Sequence, residues 1–281
     1  MKYLLDFRER VVGGAAVPGR LTDMTTGENG PVVLGNLVAE TQVTFLIHGF
    51  NVSGPEGELA LNNLANGLPD VTGGLVGVLW PGDHGLGFLS YSFEGRDADD
   101  TADELARFID DNLQAGTPLQ AGTPLSFVAH SLGARVAMET RKRLDDRYPL
   151  EQACYMAAAV DDDSVSEVEV YRAVVESTSR VAVLSSKEDE VLKYAYPVAD
   201  LLQAFLFFST DSFGLALGYH GPRPHSAGDA VRGNVVHTPI PVMRNSDHGD
   251  YLWEPSPTPE HVSVAAYANG VLSGHPDPSY P

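Results

Sequence analysis

The stretch PLSFVAHSLGARVAMETRKRLDDR, residues 124–147, changes character at one point. Up to His130 it is a compact apolar run, the pattern of a buried strand. From Ser131 onward Leu132, Val136, Thr140 and Leu144 recur four apart and share a helical face. Arg141, Lys142 and Arg143 gather near its end, where the helix dipole favours cations. The pattern predicts a strand over 124–130, a helix over 131–147, and Ser131 at the junction between them.

The same alternation continues on either side. QVTFLIHGF (42–50) and GLVGVLWPGD (74–83) read as buried strands, as do QACYMAAAV (152–160) and SRVAVLSS (179–186). DADDTADELARFIDDNL (97–113) reads as a helix, with Ala98, Ala102, Leu105, Ile109 and Leu113 on one face and acids in its first turn. EVEVYRAVVEST (167–178) reads as a helix between two strands, and VLKYAYPVADLL (191–202) is helical in pattern. NVVHTPIP (234–241) is a weaker strand whose two prolines suit an edge or an end. Apolar strands alternating with helices imply a mostly parallel central sheet with helices on both faces, an α/β fold. Sites in such sheets lie at the strand C-termini. There the pattern places His48-Gly49-Phe50, Gly82-Asp83, His130-Ser131, Asp161 and the turn from Ser186 to Asp189.

Bulk composition narrows the classes. The chain has 281 residues, 43% hydrophobic and 20% charged, which suits one large globular domain spanning 1–281. Its net charge is −20, an acidic balance that repels nucleic-acid phosphates and anionic lipid. No apolar run reaches the roughly 18 residues of a membrane span. The N-terminus MKYLLDFRERVV lacks the apolar core and cleavage site of a signal peptide, so a cytoplasmic location is expected. The single cysteine, Cys154, excludes an internal disulfide and lies in an apolar run as a buried small hydrophobe. A tandem LQAGTP repeat within 113–125 carries Gly and Pro and reads as a surface loop without a role.

A serine at a strand-to-helix turn has two readings. It can N-cap the helix. Or it can be a nucleophile, exposed by the sharp turn with helix N–H groups aimed at a developing oxyanion. The elbow pattern for the second is Gly-x-Ser-x-Gly; here Gly133 holds one flank and Ala129 adds a methyl at the other. AHSLGARV, with FLIHGF upstream, resembles the α/β-hydrolase superfamily, in which several bacterial lipases carry alanine at the position of Ala129. Residues 42–250 also resemble a bacterial α/β-hydrolase group of uncharacterised function. The shared features are the HGF-type loop, LWPGD, the H-S-x-G elbow, AAAVDDD and DEVL. The resemblance implies an α/β-hydrolase fold and a Ser-acid-His hydrolase, but no substrate.

A serine needs a base and the base an orienting acid, and in this fold the chain order is Ser, acid, His. His220, His225, His237, His248, His261 and His275 follow Ser131. His248 lies in the polar, turn-rich NSDHGDYLWEP after the last strand and is the favoured base; His237 falls inside that strand, and His220 and His225 lie in a Gly/Pro-rich loop. For the acid, Asp189 follows the strand RVAVLSS, where most of the superfamily carries it, and is favoured. Asp161, one strand earlier, is the alternative, although the run Asp161-Asp162-Asp163 also reads as a helix cap or a solvated turn. The oxyanion donors are the backbone N–H groups of Leu132 and Phe50. No metal or organic cofactor is expected, because DDDSVSE lacks the calcium-loop spacing.

The expected activity is that of a serine esterase or lipase acting on a small-molecule ester. Alternatives are a thioesterase, amidase, peptidase or acyltransferase on the same residues, or a silent binding protein. HGLGFLSYSFEG (84–95) and QAFLFFSTDSFGLALGY (203–219) are aromatic-rich and could wall an acyl pocket, with Phe88, Tyr91, Phe207 and His130 as candidate lining. Residues 200–233 are a candidate lid or pocket wall.

Overall fold

A computed structural model describes residues 1–8, 19–50, 52–81, 91–114, 123–144, 148–166, 169–196, 215–251, 258–275 and 279–281, with backbone alone at 91–95, 113–114 and 195. Eight strands form one sheet: β1 (Tyr3–Asp6), β2 (Arg20–Asp23), β3 (Val43–Ile47), β4 (Gly74–Leu79), β5 (Leu125–His130), β6 (Leu150–Met156), β7 (Thr178–Ser185) and β8 (Val235–Pro239). Their spatial order is β2-β1-β4-β3-β5-β6-β7-β8. Only β1 and β2 pair antiparallel; every other pairing is parallel. The proline-bearing β8 is one of the two edge strands, with Pro239 its last residue.

The central strands β3 and β5 are buried along their whole length because both faces are covered. In β3, Val43, Phe45 and Ile47 join one core cluster and Leu46 the other; in β5, Leu125, Phe127 and Ala129 join the first and Val128 the second. This is the two-residue side-chain period of a strand split between two layers. Helices α1 (Pro31–Val38), α3 (Tyr91–Gln114), α4 (Gly133–Arg143) and α5 (Arg172–Glu176) supply the first cluster. Helix α2 (Gly54–Asn66), the short α6 (Leu217–His220) and α7 (Pro259–Leu272) complete the helices numbered here, and α2 and α7 pack in the second cluster. The expected helical faces are buried: Ala98, Ala102, Leu105 and Ile109 of α3, and Leu132, Val136, Thr140 and Leu144 along α4. Arg141 donates from Nη1 to the Leu144 carbonyl at 2.9 Å, satisfying an orphan carbonyl at the end of α4.

Several boundaries differ from the sequence reading. α4 begins at Gly133 rather than Ser131, because the serine adopts φ 52°, outside any right-handed helix. The helix expected over 167–178 shrinks to Arg172–Glu176: the Tyr171 N–H turns back to the Ser164 carbonyl at 3.1 Å, leaving one helical stretch before β7. The pattern over 191–202 opens as a π-helical turn, Val191–Ala195. β1, β2, α1, α2, α6 and α7 were not expected. Two of these helices carried a start signal, Ser53-Gly54-Pro55-Glu56 before α2 and Thr258-Pro259 before α7, each forming a capping box. Most of the LQAGTP repeat, residues 203–214 of the candidate pocket wall and Gly82-Asp83 lie outside the described residues.

Candidate active site

β3 and β5 are neighbours, yet the chain leaves them in opposite directions. β3 leads to α2 in the second core cluster and β5 to α4 in the first. Such a divergence opens a crevice at the strand C-termini. Ser131 sits there. Its φ of 52° is uncommon for a residue with a Cβ and costs roughly 1–3 kcal/mol. The surrounding backbone holds it: Ser131 N–H donates to the Met156 carbonyl at 3.0 Å, and its own carbonyl accepts the N–H of Ala134 and of Ala159, each at 3.1 Å. The N-cap of α4 is Leu132, and no side chain caps it, so Ser131 does not serve as a helix cap.

The residues around the turn must be small, for a reason visible in distances. A Cβ on Gly133 would lie 2.4 Å from the His48 carbonyl oxygen and 3.0 Å from that of Ile47. One on Gly49 would lie 2.9 Å from the Ser131 Cβ, so the His48-Gly49-Phe50 loop abuts the serine directly. Ala129 is fully buried inside β5, where its methyl is accommodated in the core. His48 is a core residue: its Nδ1–H donates to the Gly49 carbonyl at 2.7 Å, and Nε2 accepts the Trp80 N–H at 3.3 Å. The Trp80 indole N–H donates to the His48 carbonyl at 2.8 Å, tying the ends of β3 and β4 together. Neither the Phe50 nor the Leu132 N–H donates to another described residue.

Three side chains from separate loops form one line. The Ser131 hydroxyl donates to His248 Nε2 at 2.9 Å. His248 Nδ1–H donates to Asp189 Oδ2 at 2.8 Å. Asp189 is fully buried, and its Oδ1 accepts the Leu192 N–H at 2.9 Å. The serine follows β5, the aspartate follows β7 and the histidine follows β8, strands ordered β5-β6-β7-β8 in the sheet. The turns bearing Asp189 and His248 are also cross-linked: Ser186 Oγ donates to the Ser246 carbonyl at 2.7 Å, and Asp247 Oδ1 accepts the Glu190 N–H at 3.3 Å.

Asp161 takes a different place. Its Oδ1 accepts the Tyr196 hydroxyl at 2.9 Å, whereas the carboxylate on His248 Nδ1 is that of Asp189. Its neighbour departs from the expected solvated turn. Asp162 is fully buried and pairs with Arg223 Nε at 2.6 Å; burial pushes its carboxyl up against the opposing pull of that arginine. This pair helps fasten the 215–223 segment, where Leu217 N–H donates to the Val160 carbonyl at 2.8 Å and Ser186 N–H to the Gly218 carbonyl at 3.0 Å. That part of the proposed lid is thus built into the sheet margin. His237 bonds Ser185 Oγ through Nε2 at 2.8 Å within β8, and His225 lies beside Asp163 and Glu169. Cys154 is buried and its thiol is pushed up to about 12. Phe88, Phe207 and the side chain of Tyr91 lie outside the described residues. Among the described residues no group of three or more His, Cys, Asp or Glu could hold a metal ion, and no helix is long and apolar enough to cross a membrane.

The family model described as "Alpha/beta hydrolase of unknown function (DUF900)" matches residues 34–201, more than half of the chain. The chain belongs to this family. Ser131 and Asp189 fall within the matched region of the α/β hydrolase, and His248 lies beyond it. No curated protein matches the sequence. Among solved structures, the lin2722 gene product of Listeria innocua is 10% identical, with a TM-score of 0.44 over 85% of this chain and 97% of that one. The catalytic core domain of acetyl xylan esterase from Trichoderma reesei is 14% identical, with a TM-score of 0.40 over 83% and 96%. Carboxyl esterase 2 of Tuber melanosporum is 9% identical, with a TM-score of 0.41 over 90% and 82%.

Proposed function

We propose that this α/β hydrolase is a serine hydrolase of carboxylic esters, with Ser131 as nucleophile, His248 as base and Asp189 as orienting acid. The observation that carries the reading is the unbroken hydrogen-bonded line from Ser131 Oγ through both nitrogens of His248 to a buried carboxylate. A lone serine hydroxyl is a weak nucleophile. Here its proton already points at an imidazole nitrogen that can take it.

Ser131 Oγ attacks the ester carbonyl while Nε2 of His248 accepts the hydroxyl proton. Asp189 holds Nδ1–H, which keeps Nε2 free as the acceptor and stabilises the imidazolium that forms. The N–H groups of Leu132 and Phe50 receive the oxyanion; one such donor is worth roughly 3–4 kcal/mol in the transition state. The imidazolium then protonates the leaving alcohol. Water, deprotonated by the same imidazole, releases the acid and returns the proton to Ser131. Every step uses groups of this chain and water, and the substrate is a small-molecule ester.

The test is covalent labelling with a fluorophosphonate probe, alongside turnover of p-nitrophenyl esters. Wild type is expected to label and turn over, and Ser131→Ala to do neither. Labelling without ester turnover would move the reading to another acyl transfer, such as thioester or amide cleavage. An unlabelled, inactive wild type would leave a binding protein on a hydrolase fold.

A further inference from the structure

His130 takes no part in the line from Ser131 to Asp189, yet it is only 6% exposed and lies directly against it. Its Nε2 is 3.1 Å from the backbone carbonyl of His248. A carbonyl can only accept, so the proton of this bond resides on Nε2. Nδ1 is left buried without a hydrogen-bond partner. It faces the oxyanion loop, since a Cβ on Gly49 would lie 2.8 Å from it. Burial, and next the neighbouring His248, holds this imidazole well below its usual pKa, so it carries no charge at neutral pH. The ring centre lies 4.8 Å from that of His248 and stacks at 5.7 Å on Tyr251, a buried residue of the same turn.

As core filling this is a poor choice. A buried orphan acceptor costs free energy that a phenylalanine of similar shape would not. What a phenylalanine lacks is the N–H that reaches the His248 carbonyl. The other end of the same residue is also gripped: His248 N–H donates to Asp247 Oδ1 at 2.7 Å, the oxygen that also accepts from Glu190. The base is therefore tied through its N–H to the acid's turn and through its carbonyl to the residue preceding the nucleophile.

We infer that His130 is a positioning residue, whose Nε2–H holds the His248 carbonyl and so keeps the His248 ring in line between Ser131 Oγ and Asp189. The inference rests on the serine-hydrolase reading above. An uncharged ring also suits the place, because a second cation beside His248 would oppose the imidazolium that forms during attack. Misplacing a catalytic group by about 1 Å costs on the order of 100-fold in rate.

The test compares wild type with His130→Phe, His130→Gln and His130→Asn. It measures kcat and KM on p-nitrophenyl butyrate, the rate of fluorophosphonate labelling, and thermal unfolding. Glutamine can carry an N–H to about the position of imidazole Nε2, whereas the shorter asparagine amide falls short. Expected are a 10- to 100-fold loss of kcat and of labelling rate in His130→Phe, KM within about two-fold, and recovery of most of the loss in His130→Gln. Should His130→Phe fail to fold, the glutamine and asparagine variants decide, glutamine being the faster. The inference is overturned if a labelled, active wild type is matched within two-fold by a folded His130→Phe, or if glutamine is no better than asparagine. A wild type that neither labels nor turns over overturns the hydrolase reading itself, a different result from either of these.

Discussion

At the scale of single residues, the choice between Asp189 and Asp161 shows how one backbone contact decides a side chain's chemistry. Asp189 Oδ1 accepts the Leu192 N–H, and Oδ2 faces Nδ1 of His248. In Asp189→Asn the Leu192 N–H would claim the amide oxygen and turn the NH2 toward His248. Nδ1 would then have to accept, the proton would move to Nε2, and the ring could no longer take the serine proton. Turnover of p-nitrophenyl esters is expected to fall by about 10³- to 10⁴-fold, with folding intact. Asp161→Asn weakens the acceptor of the Tyr196 hydroxyl, away from the line to Ser131, and is expected to stay within a few-fold of wild type. Should Asp161→Asn be the inactive variant, the acid is misassigned. Ser131, Asp189 and His248 could be singled out from sequence because each follows a strand, in chain order Ser, Asp, His. The place of His130 could not: its partner lies 118 residues away, and nothing local to AHSLG says that its imidazole reaches the His248 carbonyl rather than a substrate pocket.

At the scale of elements, the junction between β5 and α4 depends on how closely a helix can approach the neighbouring strand. The two small residues flanking Ser131 are not equivalent. Ala129 points its methyl into a packed core, whereas Gly133 has a backbone oxygen, that of His48, where a Cβ would be. Gly133→Ala is therefore expected to destabilise by about 1–3 kcal/mol, since the strand end must move aside. It should also lower turnover, because the same strand end carries Gly49 and Phe50 against Ser131. Ala129→Gly is expected to cost about 1 kcal/mol of stability and leave kcat unchanged. Urea unfolding and ester turnover on both variants check the pair, and equal effects would contradict the packing argument. β3, β5 and β6, which frame this junction, were legible as largely apolar runs bounded by turns, and form strands of five to seven residues. The four-residue β1 and β2 were too short to show a period, and β1 owes its place to pairing with β2 and β4 rather than to its own pattern. Asp162 was misjudged for a related reason. Its burial follows from Arg223, a partner beyond the reach of local composition.

At the scale of the whole molecule, periodicity predicted a parallel sheet but not the order β2-β1-β4-β3 of its first half, which depends on contacts between distant segments. Charge is the global property that composition does report. The net charge is −20, and many of the cations are already within ion pairs, among them Arg135 with Asp99, Arg143 with Asp103 and Glu139, and Arg223 with Asp162. What remains is an excess of carboxylates over cations. Helix α3 alone carries eight acids against two arginines. Such an excess works against the compact state, in which like charges lie closer together than in the unfolded chain. Added salt should relieve it. The Debye length falls from about 30 Å at 0.01 M to about 8 Å at 0.15 M, so repulsion across the surface is screened early, whereas the partly buried Arg135–Asp99 and Arg223–Asp162 pairs are screened much less. The melting temperature is therefore expected to rise between 0.01 and 0.2 M NaCl and then to flatten. A melting temperature that falls over this range would mean that ion pairs outweigh the repulsion. A rise that begins only at molar salt would point instead to exclusion of salt from the protein surface.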